Sequence, residues 1–208
     1  LCHFSNEEVR KRMPLSKNRL VNLLRFVVGK ESNRDYADFS GWITILAREF
    51  NQFDAVELHI VSPFHGLMRL NCDFKIDNIN YHFFKPSDDF IVSKIFQRIP
   101  FINSRRYLMN RSFMKRYVEE IGPDLVNVFG AENPYYSIGA LDIKNIPVYL
   151  SLQTVYSDPL FEKYVDSYSQ ERKGLELTIF KSVTYYGCPG LKYRDLVMKS
   201  NPEALFFK

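Results

Sequence analysis

The sequence predicts an α/β protein built on an open, mostly parallel sheet with helices on both faces. Three observations carry that expectation. Leu125–Phe129 and Ile146–Leu152 are short β-branched and apolar runs joined by the helix-compatible Pro134–Ile143. Strand, helix and strand thus follow one another within about 30 residues, and the second strand should lie parallel to the first. Helix-period and strand-period stretches alternate along most of the remaining chain. The 208 residues, 46% hydrophobic and 15% aromatic, suffice for one large core, and no repeat or linker divides residues 1–208.

Taken in order, Leu1-Cys2-His3-Phe4 reads either as the tail of an apolar strand or as a loose terminus. Ser5 or Asn6 can cap a helix through Glu7-Glu8-Val9-Arg10, which Pro14 interrupts. Asn18–Val28 has helical apolar spacing and ends at Gly29, and Lys30–Asp38 is polar and loop-like. Ser40–Phe53 is the clearest helix, capped by Ser40, with Trp42, Ile45, Leu46, Phe50 and Phe53 as its apolar stripe. Ala55–Val61 alternates as a strand, and Leu70–Lys85 reads as a hairpin or two short strands about Asp77-Asn78. Phe90–Arg98 and Ser104–Ile121 are helical, and Gly122-Pro123-Asp124 breaks the chain before the strand–helix–strand unit. Leu160–Phe180 follows as a long helix, then the strand Ser182–Gly187, the helix Leu191–Ser200 and a last strand, Ala204–Phe207.

The composition excludes several classes. A net charge of +4 is too mild to argue for nucleic acid. Cys2, Cys72 and Cys188 are scattered with no CxxC pair, so neither a zinc site nor a redox motif is expected, and a reducing compartment is. No apolar run approaches the roughly 18 residues of a membrane span. Gly-rich phosphate loops, dinucleotide fingerprints, HExxH and GxSxG are all missing.

In sheets of this kind ligands sit beyond the carboxyl ends of the strands. Those ends are Gly130-Ala131-Glu132-Asn133 and Gln153-Thr154-Val155-Tyr156. Glu132 and Asn133 suit sugar hydroxyls, and Asn133 is equally placed to cap a helix that begins at Pro134. Ser40-Gly41 opens a helix, where free N–H groups favour an anion, or else forms a plain cap. His65, beside Gly66 at a strand end, faces the expected cleft edge, and His3 is placed similarly. His59 and His82 alternate with apolar neighbours and read as structural. Arg105, Arg106, Arg111, Lys115 and Arg116, interleaved with aromatics, form either a solvated helix face or a contact for anionic lipid or a negatively charged acceptor.

PDLVNVFG, then a helix and IPVYLSLQTVYSDP, resembles the middle of the N-terminal domain of GT-B glycosyltransferases of the family 4 (group 1) type. That family carries a "PDIIHxHG" strand before an "xPxVxxxHD" strand. Ser40-Gly41-Trp42 fits its first-loop glycine and first helix, VELHIVSPF its second strand, and Tyr185-Tyr186-Gly187 with Tyr193-Arg194-Asp195 and Asn201-Pro202 the ending of that domain. The resemblance implies a Rossmann-like, acceptor-side domain of a retaining enzyme that moves a sugar from a nucleotide-sugar to a glycan or lipid-linked acceptor. It implies a nucleotide-sugar donor as substrate, no cofactor and no metal. Ser40 and Gly41 would lie near the donor phosphates or transferred sugar. His65, Gly130, Glu132, Asn133, Gln153, Thr154 and Tyr156 would complete the substrate site. No nucleophile or base is assigned. Gln153-Thr154-Val155-Tyr156 stands where the family often has His, and the donor-binding C-terminal domain is expected outside these 208 residues, so the fragment alone should not turn over. A cytoplasmic location is expected, with peripheral contact at the inner membrane face through the basic residues. The alternative is a stand-alone, non-catalytic α/β module that binds a nucleotide or a partner.

Overall fold

The computed structural model describes residues 1–15, 38–87, 107–164, 167–188 and 190–207. The expected helices Asn18–Val28 and Phe90–Arg98, nearly all of the loop Lys30–Asp38, and Arg105 and Arg106 lie outside these residues.

Among the described residues the chain runs α1 (Glu7–Arg12), α2 (Gly41–Phe50), β1 (Leu58–Pro63), β2 (Asn71–Ile76), β3 (Ile79–Phe84), α3 (Leu108–Ile121) and β4 (Val126–Phe129). It continues with α4 (Pro134–Ser137), a 3-10 turn Ile138–Leu141, β5 (Val148–Ser151), a 3-10 turn Pro159–Tyr164, α5 (Ser167–Ser182), β6 (Tyr185–Gly187), α6 (Leu191–Ser200) and β7 (Leu205–Phe207). Strands β4, β5, β6 and β7 pair in that order, all parallel. Strands β1, β3 and β2 form a second ladder, with β1 parallel and β2 antiparallel to β3. Asp77, at φ 51, turns the β2–β3 hairpin where Asp77-Asn78 was expected to.

The N-terminal segment 1–4 joins the two ladders. Leu1 donates its amino group to the Asn127 carbonyl and accepts from Phe129 N at 3.0 Å. Bonding to both residues that flank Val128 is the parallel pattern. On the other side Cys2 N donates to Val61 O (3.2 Å) and Phe4 N to Ser62 Oγ (3.2 Å). Of the two sequence readings of Leu1–Phe4, the structure selects the strand-like one, at the middle of the sheet. The sheet is therefore doubly wound. From this middle rail the chain passes through α1 and α2 to β1 on one side, then returns through α3 to β4 on the other.

The helices divide between the faces. Val9, Met13, Ile43 and Ala47 of the first two elements pack with Cys2, Phe4, Ile60, Tyr81 and Phe83 on one face. Met114, Tyr117, Val118, Ile179, Phe180 and Val197 pack with Val128, Leu150 and Tyr186 on the other. Local caps set the ends. Asn6 Oδ1 accepts from Val9 N at 2.8 Å. Gly122 takes the left-handed conformation, φ 59, that closes α3.

Several boundaries differ from expectation. Ser40 stands at the cap position of α2 in a left-handed conformation, and its side chain makes no cap bond. The stripe Trp42, Ile45, Phe50 and Phe53 is exposed, Ile45 at 63%, while α2 buries Ile43 and Ala47. Apolar residues surround this helix on most sides, so period alone allowed either face, and small Ala47 gives the closer approach to the sheet. The strand expected over Ala55–Val61 starts at Leu58, and the long helix expected from Leu160 begins as a 3-10 turn before α5.

Candidate functional site at the switch point

The rail 1–4 connects leftward to β1, and β4, on its other side, connects rightward to β5. That reversal marks the switch point of the sheet, and beyond the carboxyl ends of these strands is where a doubly wound fold places its ligand crevice. Gly130 is the first residue past β4, at φ 84, where non-glycine residues are strained. A Cβ there would lie 2.1 Å from Glu132 Oε2. Gly130 is thus the seat on which the Glu132 carboxyl folds back. The loop around it is pinned from below. Tyr136 donates its hydroxyl to Phe129 O, and Ser137 Oγ donates to Ala131 O (3.1 Å) and Asn133 O (2.8 Å). Asn133 Oδ1 accepts from Tyr135 N at 3.2 Å and caps α4.

Glu132 is the unusual group here. Among the described residues its Oε2 is buried without a hydrogen-bond partner. Burial pushes its carboxyl up to about 7; its own backbone N–H opposes the rise, Glu176 adds to it and Arg172 opposes it. Arg172 Nε donates to Glu132 O at 2.8 Å, and its guanidinium lies 4.6 Å above the Tyr156 ring. Glu176, fully buried one turn further along α5, accepts from Tyr156 N (2.9 Å) and Ser157 N (2.8 Å). Burial raises its carboxyl and those two N–H groups oppose the rise. Two side chains of α5 therefore fix both strand-end loops. Sequence reading missed them because Arg172 and Glu176 look like an exposed i,i+4 ion pair.

The other expected residues are distributed as follows. Trp42, in the first turn of α2, meets Phe129 edge-on at 4.8 Å, which sets Ser40-Gly41 beside the end of β4. A Cβ on Gly41 would meet nothing within 4 Å. His65 is exposed and meets Tyr135 edge-on at 5.7 Å. His3 lies tilted against Phe39, ring centroids 4.1 Å apart; burial, then the charge of His65, lowers it to about 4. Gln153 and Thr154 are half-buried in the loop after β5, and neither side chain makes a hydrogen bond among the described residues. So Gly130, Glu132, Asn133 and Tyr156 come together, and Gln153 and Thr154 only share their loop.

Of the basic residues on α3, Arg111 pairs with Asp142, Lys115 with Glu119 and Arg116 with Glu120. A hollow of about 590 Å³ lies away from the crevice, lined in part by Arg12, Arg69, Asn71 and Asp73. Among the described residues no three His, Cys, Asp or Glu side chains could hold a metal, and no helix is long and apolar enough to cross a membrane.

Fold and site together define a doubly wound α/β domain with a carboxylate–arginine–tyrosine cluster at its switch point. No protein-family model matches the chain, and no curated protein does. A solved structure to which it is similar is described as trehalose-6-phosphate from E. coli bound with UDP-2-fluoro glucose, at 13% identity and a TM-score of 0.47. The match covers 81% of this chain and 41% of that one, so the chain spans about two fifths of that structure's length.

Proposed function

We propose that this chain is the acceptor-side domain of a retaining glycosyltransferase that moves a sugar from a nucleotide-sugar to a glycan or lipid-linked acceptor. The reading rests on the motif resemblance. The observation that carries it is the half-buried Glu132 carboxyl, one oxygen of it unbonded, held over Gly130 at the switch point. A carboxyl that titrates near neutrality both donates and accepts hydrogen bonds, which suits an alcohol whose proton must be held or taken. Arg172 and Tyr156 complete a polar wall on the acceptor side. Ser40 and Gly41, with an unused hydroxyl and a helix start clear of side chains, face the donor.

The test uses the full-length gene product, assayed for transfer from UDP- and GDP-sugars. Glu132→Ala and Gly41→Ala should each lower transfer by about tenfold or more, the cost of at least one hydrogen bond or close contact to bound substrate. The Gly41 variant is informative because its methyl meets nothing in the fold. Wild-type transfer by both variants would overturn the crevice assignment. Binding of a nucleotide without any transfer would favour the non-catalytic module.

A further inference from the structure

A second polar cluster lies on the three-stranded half of the sheet, apart from the crevice. Asp73 sits directly opposite His82 in the β2–β3 ladder, and His59 enters from β1. His82 Nδ1 is 2.9 Å from Asp73 Oδ1, and His82 Nε2 is 3.0 Å from His59 Nδ1. His59 Nε2 is 3.3 Å from Glu57 Oε1 and 3.4 Å from Asn80 Nδ2. The four side chains form one file: Asp73, His82, His59, Glu57.

Ring geometry decides what joins the two imidazoles. Their planes differ by 7° and their centroids are 5.2 Å apart. Coplanar rings sharing a straight N–H···N bond of 3.0 Å would show about 5.3 Å. The facing lone pairs point at each other, not at a common tetrahedral centre, so the arrangement fits a proton and not a metal ion.

Proton counting then fixes the states. With both rings neutral, His82 donates to Asp73 and His59 donates to His82, leaving His59 Nε2 and the Glu57 carboxylate face to face with no proton between them, bridged from the side by the Asn80 amide at 3.4 and 3.2 Å. One added proton fills that gap, and every nitrogen in the file is then bonded. A second would set N–H against N–H at 3.0 Å. The other groups facing the file are Lys75 of β2, and Arg116 and Tyr117 of α3, whose hydroxyl faces Asn71 and Asp73. The Tyr117 ring rests on His82 at 5.0 Å, and Arg116 lies 5.1 Å above the Tyr117 ring.

We propose that His59 and His82 hold a single proton between Glu57 and Asp73, and that a second proton parts the rings and loosens α3 from β1 and β3. Burial, then the neighbouring His82, already holds His59 below the ordinary imidazole range, against the pull of Glu57.

The experiment follows the imidazole nitrogens of the labelled 208-residue chain by NMR from pH 8 to pH 4, with amide exchange read along residues 114–121. The expected result is two steps more than about one pH unit apart, with faster exchange of α3 arriving at the second. His59→Gln, which leaves the His82–Tyr117 contact in place, should abolish the second step and leave α3 exchange insensitive to acid. Simultaneous charging of both rings, two rings that stay neutral, or α3 exchange that ignores the second proton would each overturn the proposal. So would a wild-type profile in His59→Gln, or one equivalent of zinc shifting both rings at pH 7.

Discussion

Two half-buried titrating groups pull the pH dependence of stability in opposite directions. Glu132 is raised to about 7 in the fold, so its contribution is fully present below its unfolded range and is lost as pH climbs through 7. His3 is lowered to about 4, so its contribution is present above its unfolded range, near 6.5, and is lost as pH falls toward 4. The two losses run over nearly the same pH window and largely offset each other, so each limb shows only when the other group is replaced. Glu132→Gln should raise stability at pH 8 by on the order of 2–3 kcal/mol and change little at pH 4, measured by urea unfolding across that range. An equal gain at both ends would show that the carboxyl is not charged at a cost in the folded protein. Gly130→Ala tests the seat beneath it. The new methyl would displace the Glu132 carboxyl, and the alkaline limb should shrink with it while total stability falls by about 1–2 kcal/mol from the left-handed backbone.

At the scale of elements, α5 does the work that no single strand end could. Its Arg172 and Glu176 hold the loops after β4 and β5 to one helix. Glu176→Ala should free the Tyr156 and Ser157 amides, visible as their faster hydrogen exchange with little change in β5 itself. A rigid loop in that variant would mean that Asp158, which accepts from Leu160 N and pairs with Lys192, suffices to hold it. The unit β4–α4–β5 was legible in the sequence because its β-branched runs, its Pro134 and its Gly130 each have one local meaning. What α5 does was not legible, since a charged i,i+4 pair reads as solvent-facing until the neighbouring loops are in place. The file through His59 and His82 was hidden for a related reason. Alternation along a strand tells which face a residue takes, but the partner across the sheet depends on register. The α2 stripe was misread because apolar residues on nearly every side leave period undecided.

Across the whole molecule, the hydrogen bonds that join the two ladders among the described residues run through residues 1–4. Phe4 is fully buried there, and Phe4→Ala should cost about 3–5 kcal/mol in unfolding free energy. A smaller loss confined to the β1–β3–β2 half would mean that the halves are stable separately. The same rail has a temporal side. Leu1 bonds to residues 126 and 128 positions further along the chain, so the sheet's centre is its most non-local contact. Closing so long a loop comes late. Until β4 exists, segment 1–4 has an open flank and the β1 half lacks its inner neighbour. Residues 1–4 should therefore depend on β4 for their burial, and the β1 half should be most prone to misassociation until β4 is in place.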